Sequence, residues 1–342
     1  MPALGTYSDF FKRTLIVVAV VATPILIWYL FGVVLMAFGA IILAILLRLG
    51  TQPLMQVGLP EPIALIVSGL LVIGVIGACG YLFGTNLSNE FQDVVQRATD
   101  AMTSIQATLH KSPVGNYLLT HMTGGNFSFT DILTGVLKVS TTFLEGIIIV
   151  LITGAYLAAQ PELYRRGLIW LFPPSKHARA AEIFDAIVAA LRLWLLGQLV
   201  EMVLVGLLST FAVWIIGVPS AVALGLIAAI GEFIPYLGPI LAAIPALLVA
   251  ITKSPEAAFW ILIAYLIIHQ LEGQIIAPLI QHHMVAIPPA VMLLGIVAIT
   301  YLFGAIAIIF AAPIAVVVFT IVNLVYVRDT LGEKTTLTRK LG

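Results

Sequence analysis

Gly231-Glu232-Phe233-Ile234-Pro235-Tyr236-Leu237-Gly238-Pro239 interrupts an apolar stretch running from Leu193 to Thr252, in which Glu201 and Glu232 are the charged residues. A proline inside a helix removes a hydrogen bond and costs about 3 kcal/mol or more. Here two prolines stand four residues apart. Gly231 and Gly238 let the chain turn on either side of them. Carbonyls freed by such a break are tolerated at membrane depth only where protein buries them or water reaches them. The nonapeptide therefore predicts the tip of a helical hairpin, placed where water or a polar solute goes.

The rest of the chain supplies the membrane. Of 342 residues, 61% are hydrophobic and 9% charged, against about 25% charged in soluble proteins. That excludes an ordinary water-soluble fold, and with it the disordered, collagen-like and disulfide-rich classes. Sixteen Lys and Arg balance sixteen Asp and Glu, so no basic surface suggests a nucleic-acid partner. A single cysteine, Cys79, forbids an intrachain disulfide.

Further apolar stretches run from Thr14 to Leu47, Pro62 to Asn89, Val139 to Pro161 (broken by Glu145) and Ala257 to Val327 (with Glu272 its one Asp, Glu, Lys or Arg). Such runs are too long for barrel strands. The first is read as a tight hairpin turning near Gly32, its opening helix retained as a signal anchor. The expected fold is an all-α polytopic membrane protein with about eight membrane-embedded helical segments. The lipid bilayer is its obligatory partner.

Orientation follows from Lys and Arg near the helix ends. A cytoplasmic N-terminus places twelve of them inside, among them Arg48, Arg165, Arg179, Arg192 and Arg328, with Arg97, Lys111 and Lys138 outside. Both termini are expected in the cytoplasm, in a bacterial inner membrane. Residues 1–159 read as a transmembrane scaffold carrying an extracytoplasmic insert at 85–138. In the insert Leu87, Phe91, Val94, Ala98, Met102, Ile105 and Leu109 keep a helical period. Residues 160–192 read as a cytoplasmic amphipathic helix starting at an N-cap on Ser175 and lying on the membrane surface. Residues 328–342 form a cytoplasmic tail.

Residues 193–327 contain an internal repeat. Val218-Pro219-Ser220-Ala221-Val222-Ala223-Leu224-Gly225 is echoed by Ile287-Pro288-Pro289-Ala290-Val291-Met292-Leu293-Leu294-Gly295, at an offset of 69 that becomes 70. The two copies, 193–251 and 257–327, each follow a long apolar helix with a helix-length hairpin. Secondary transporters are often built from duplicated units with broken helices at their interface. If both copies are re-entrant hairpins, Lys253 lies outside and the halves have opposite orientation.

Leu196-Gly197-Gln198, Gly217-Val218-Pro219, Ile234-Pro235-Tyr236-Leu237-Gly238-Pro239, Gln270-Leu271-Glu272 followed by Pro278, and the Gly304 to Pro313 ending occur in that order. Together they resemble the autoinducer-2 exporter (AI-2E) family. The resemblance implies a secondary permease exporting a small polar solute such as autoinducer-2, with sodium/proton antiport as the alternative. Glu232 departs from many relatives, which carry an uncharged residue there, and this raises the weight of ion coupling.

Ionisable groups inside a membrane are costly and mark function. Glu232 and Glu272 are the candidates for cation binding, proton relay or hydrogen bonding to a polyol. Gln198, Gln270 and Gln274 are polar partners, and Pro235, Tyr236, Gly238 and Pro239 form the gating break. Glu201 reads as packing or transport, and Glu145 as a snorkelling group. His269, His282 and His283 are read as forming no metal set, so no metal or cofactor is expected. No H-E-x-x-H, G-x-S-x-G or phosphate-cradling G-x-x-x-x-G-K-[ST] is present, and the chain is not read as an enzyme. A homo-oligomeric scaffold with a displaceable second half, gating a midplane site by alternating access, is the expected mechanism. A non-transporting membrane scaffold is the remaining class.

Overall fold

The computed structural model describes residues 30–81, 141–276, 278–279, 287–304 and 307–332, with positions 14, 96, 97, 100 and 103. The opening helix, the helix of the 85–138 insert, the pair His282-His283 and the end of the tail lie outside the described residues. All regular structure among the described residues is helical, as continuous apolar runs require in lipid.

Among the described residues the α-helices are α1 (Phe31–Gln56), α2 (Glu61–Tyr81), α3 (Thr141–Ala159), α4 (Pro161–Ile169), α5 (His177–Ile216), α6 (Ala221–Gly231), α7 (Gly238–Lys253), α8 (Pro255–Leu271), α9 (Pro289–Phe303) and α10 (Ile308–Ile321). Short π-helical segments, Glu272–Ile276 and Val322–Arg328, prolong α8 and α10. Four of these helices, with their extensions, are long and apolar enough to cross a membrane, or five counting the bent pair α3–α4. Four shorter apolar helices, Glu61–Val75, Ala221–Gly231, Gly238–Lys253 and Pro289–Phe303, accompany them; the expected eight membrane-embedded segments count such hairpin helices as well as full spans.

Small residues let the first helices close together. A Cβ on Gly154 of α3 would stand 3.0 Å from Leu43 Cβ of α1, and one on Gly146 3.4 Å from Met36 Cε. These contacts make α1 and α3 parallel. Helix α2 returns against α1, where Ser68 Oγ donates to Leu47 O at 2.7 Å. Arg48 joins all three, donating to Ala158 O at 2.8 Å and pairing with Glu61 at 2.9 Å. Of the hairpin expected to turn near Gly32, the described part is a turn at Leu30 and the second arm, which begins at Phe31.

Two further expectations change. Helix α4 bends 89° from α3, after Gln160 and with Pro161 in its first turn. It is this short helix that turns away, not residues 176–192. Nothing between His177 and Ile216 breaks a helix, so the amphipathic segment continues without interruption into the apolar one as the 40-residue α5. Ile187 and Leu191 of α5 pack into a core with Ile45 of α1 and Ala312 and Val316 of α10. Ser175 lies in a 3-10 turn and caps nothing; α5 starts after Lys176 with no side-chain cap.

Arginines gather at the end where α5 begins. Arg179 Nε donates to Asp329 Oδ2 at 2.9 Å and its NH2 to Leu324 O at 2.7 Å, while Arg328 pairs with Glu182 at 2.7 Å. Arg165 forms a bidentate pair with Asp185, 2.7 and 2.6 Å, which raises its guanidinium further above the ordinary value. Arg192 bonds Gln52 at the same end. We call this the basic end.

Candidate functional site

The two copies of the repeat fold as hairpins of opposite direction. Helix α5 stops at Gly217, whose φ of +71° provides a left-handed C-cap. Helix α6 then runs back along α5. A Cβ on Gly206 would stand 2.7 Å from Ala229 Cβ and 3.2 Å from Gly225 O, so these backbones touch as close small-residue crossings do. Residues 232–237 turn, and α7 comes home: Lys253 Nζ, at its end, donates to Ile216 O at 2.8 Å and Gly217 O at 2.7 Å. The mouth of this hairpin is therefore at the end opposite the arginines.

The second hairpin points the other way. Ile287 and Met292, at the start of α9, pack into the core around Trp194 and Val316. Phe303 at the end of α9 stacks on Phe31, ring centroids 3.7 Å apart, far from Arg48 along α1. The chain turns at Gly304, φ +87°, and α10 returns to the arginine cluster.

The first tip is built where the sequence places the break. Pro239 sits in the first turn of α7, where its missing N–H has no partner to lose. Gly231 and Gly238 lie face to face: a Cβ on Gly238 would overlap the Gly231 carbonyl and stand 2.9 Å from Glu232 Cα. Tyr236 adopts φ +66°, a left-handed conformation that costs a non-glycine residue about 1–2 kcal/mol and is concentrated at functional positions. Its ring points outward, 45% exposed. Pro235 is half-buried beside it.

The carbonyl freed by the break has a specific partner. Gln198 Nε2, on α5, donates to Glu232 O at 2.7 Å, and the Gln198 side chain is buried. Trp194, one turn earlier, packs edge-on against Phe233, centroids 5.8 Å apart. Gln198 therefore holds the tip through its amide. From Ile216 back to Gln198 is eighteen residues of α5, about 27 Å at 1.5 Å per residue. The tip thus lies beside the middle of this 40-residue helix.

Next to the tip the structure assembles a polar cluster. Glu232, 2% exposed, His269 near the end of α8 and Glu272 at the start of its π turn offer ligand atoms all within 4.8 Å of one another. His269 Nδ1 lies 2.8 Å from Glu272 Oε2, their side chains 20% and 17% exposed. Glu232 Oε2 and His269 Nε2 are buried without a hydrogen-bond partner. Glu201, one turn beyond Gln198, feels the Glu272 carboxylate and is felt by Glu232. Arg48, Arg165, Arg179 and Arg328 make their ion pairs at the basic end, and Lys253 is held at the other. Buried carboxylates with an imidazole between them can bind a cation or exchange protons; alone, they are expensive.

His269, read with His282 and His283 as forming no metal set, stands 2.8 Å from Glu272, because the spacing His269-x-x-Glu272 places both groups on one helical face. That i,i+3 spacing was the available signal. Gln270 and Gln274, read as partners of Glu272, are exposed, since positions one and two residues from a helical group point elsewhere. Two further buried atoms without partners, Ser209 Oγ of α5 and Tyr265 OH of α8, were not singled out by the sequence.

Known proteins similar to this chain are transport proteins by name. YrrI of Bacillus subtilis (strain 168) is 31% identical over 46% of this chain and 45% of its own length. YueF of the same organism is 29% identical over 59% of this chain and 56% of its own. A Thermotoga maritima protein is 25% identical over 74% and 78%. Their names assign all three to transport and give no solute. The aligned region spans about half the length of the two Bacillus relatives. The family described as "AI-2E family transporter" matches residues 15–326, from the first apolar run of the sequence through both hairpins, and the chain belongs to that family.

Proposed function

We propose that the protein is a secondary permease that exports a small polar solute of the autoinducer-2 type by alternating access. Its gate is the α6–α7 tip, and its coupling group is Glu232. The observation that carries this reading is a buried carboxylate at the apex of a broken helix pair, facing His269 and Glu272 on a separate helix. Movement of the tip would open or close that cluster, because its members are joined to different elements. A polar solute would take hydrogen bonds from the same groups, and a proton or sodium ion would neutralise them.

The moving part we assign is the first hairpin. Helix α10 of the second packs with Ile45 of α1, whereas α6 and α7 pack with the second half of α5 and with α8. On this ground α10 is assigned to the frame with the first 159 residues. The second reading, sodium/proton antiport, is favoured by the excess of carboxylate over cationic groups in the cluster. Reconstituted vesicles decide between the two: efflux of furanone-type polyols under imposed proton or sodium gradients supports export, whereas ion exchange without solute supports antiport. A scaffold that transports nothing predicts that a cysteine at position 232 is unreachable by hydrophilic thiol reagents from either side. The basic end is assigned to the cytoplasm of a bacterial inner membrane, and a homo-oligomer is proposed as the immobile frame.

A further inference from the structure

We propose that Glu232, His269 and Glu272 form a binding site for a divalent metal ion of the zinc class, whose occupancy pins the hairpin tip to α8. The inference rests on the same pocket as the permease reading and names the cation that this pocket fits. Three observations point to it together. The donor set is two carboxylates and one imidazole, with one ligand atom of each inside 4.8 Å. Metal–ligand distances of about 2.0–2.1 Å in a tetrahedral site place neighbouring ligand atoms about 3.3 Å apart, so a modest closure completes the site. Glu232 is almost wholly buried, yet Oε2 has no partner, and His269 Nε2 is also buried and unpaired. His269 Nδ1 meets Glu272 Oε2 at 2.8 Å, so the i,i+3 spacing already holds two of the three ligands side by side on one face of α8.

Charge and donor type select the ion. Two carboxylates and a neutral imidazole carry a charge that one divalent ion cancels, which a buried site needs. Imidazole suits zinc, cobalt, nickel, iron and copper, whereas sodium, magnesium and calcium prefer oxygen throughout. Three protein ligands leave a position for water or for an oxygen of a polar solute. Because Glu232 is on the tip and the other two ligands are at the end of α8, a bound ion is a cross-link between the tip and α8.

The full chain in detergent, freed of metal, is titrated with Zn2+ and with Co2+, whose visible absorption reports the coordination. The expected result is one ion per chain with a tetrahedral cobalt spectrum that zinc bleaches. Loss of an outer-shell partner alone costs metal sites about 10–100-fold, so Glu232→Gln, His269→Gln and Glu272→Gln should each weaken binding by at least that factor. Glu256→Gln, at the far end of α8, should not. Where Glu232→Gln does not yield monodisperse protein, Glu272→Gln decides, being less buried. Binding unchanged in the variants, or no stoichiometric binding, overturns the proposal. In vesicles, zinc should arrest flux in the parent protein and not in His269→Gln. Flux of solute without zinc binding sinks the metal site and leaves the permease reading; zinc binding without any flux does the reverse.

Discussion

The two hairpins start from one sequence pattern and end with different physics. At the repeat-equivalent glycines, Gly225 of α6 lies against Gly206 O and the Thr210 hydroxyl with no room for a methyl group. Gly295 of α9 would place a Cβ at an ordinary 3.5 Å from Ala315. The first tip carries Glu232 and a strained Tyr236. The second turns on Gly304, in a conformation only glycine tolerates, with open space around it and an aromatic stack on α1 beside it. The difference teaches that the two tips have diverged: Glu232 stands at the first tip alone, and the groups it meets, His269 and Glu272, come from the helix that opens the second copy. A charged tip needs a partner for its carbonyl and a counter-group for its carboxylate; an apolar tip needs neither.

The contrast can be broken most decisively by tethering. In a background with Cys79 replaced, a disulfide between cysteines at Trp194 and Phe233 should abolish flux and restore it on reduction. The same bond between cysteines at Phe31 and Phe303 should leave flux intact. Equal loss in both would show that the second hairpin moves as well.

Glu232→Gln comes next. Hydrogen bonds to charged groups are worth about 1.5–3 kcal/mol, so the flux that depends on them should fall about 10- to 150-fold. Its dependence on pH or sodium should flatten, measured in vesicles, with the protein still monodisperse. A profile unchanged in shape would remove Glu232 from coupling.

The glycine pairs sharpen the comparison through stability. Gly225→Ala forces α6 away from α5 and should cost about 1–3 kcal/mol or more. Gly295→Ala has room and a better helix former, and should be neutral or stabilising by up to about 1 kcal/mol. Thermal unfolding in detergent reads both. Gly238→Ala and Gly304→Ala should both destabilise for different reasons, backbone overlap in the first and a forbidden φ costing about 1–3 kcal/mol in the second. D-alanine at position 304, introduced by semisynthesis, should recover the loss there.

The smallest expected effect is at a cap. Ser254 Oγ accepts from Ala257 N at 3.0 Å where α8 begins after the first hairpin, whereas α9 starts at Pro288 without any side-chain cap. Ser254→Ala should lower stability by about 1 kcal/mol, and an unchanged melting temperature would show that the cap adds nothing in lipid or detergent.

Much of the architecture was legible because it depends on local properties. Low charge and long apolar runs determine helices in a membrane, since no other structure of that length satisfies its own backbone there. The prolines and glycines of 231–239 determine a break, and Gly217, Gly304 and the duplicated Val-Pro and Ile-Pro turns mark where the hairpins begin and bend. Helix α5 was misread because polarity changes near Arg192 while the backbone has no reason to stop. What only the tertiary structure decided is which groups meet. Gln198 reaches the Glu232 carbonyl across 34 residues, and Glu232 reaches His269 and Glu272 on another helix. Such pairings depend on how helices cross and on the depth to which a hairpin enters. Those follow from side-chain packing at Gly206, Gly225 and Trp194, and periodicity along one helix holds no record of its neighbour's register.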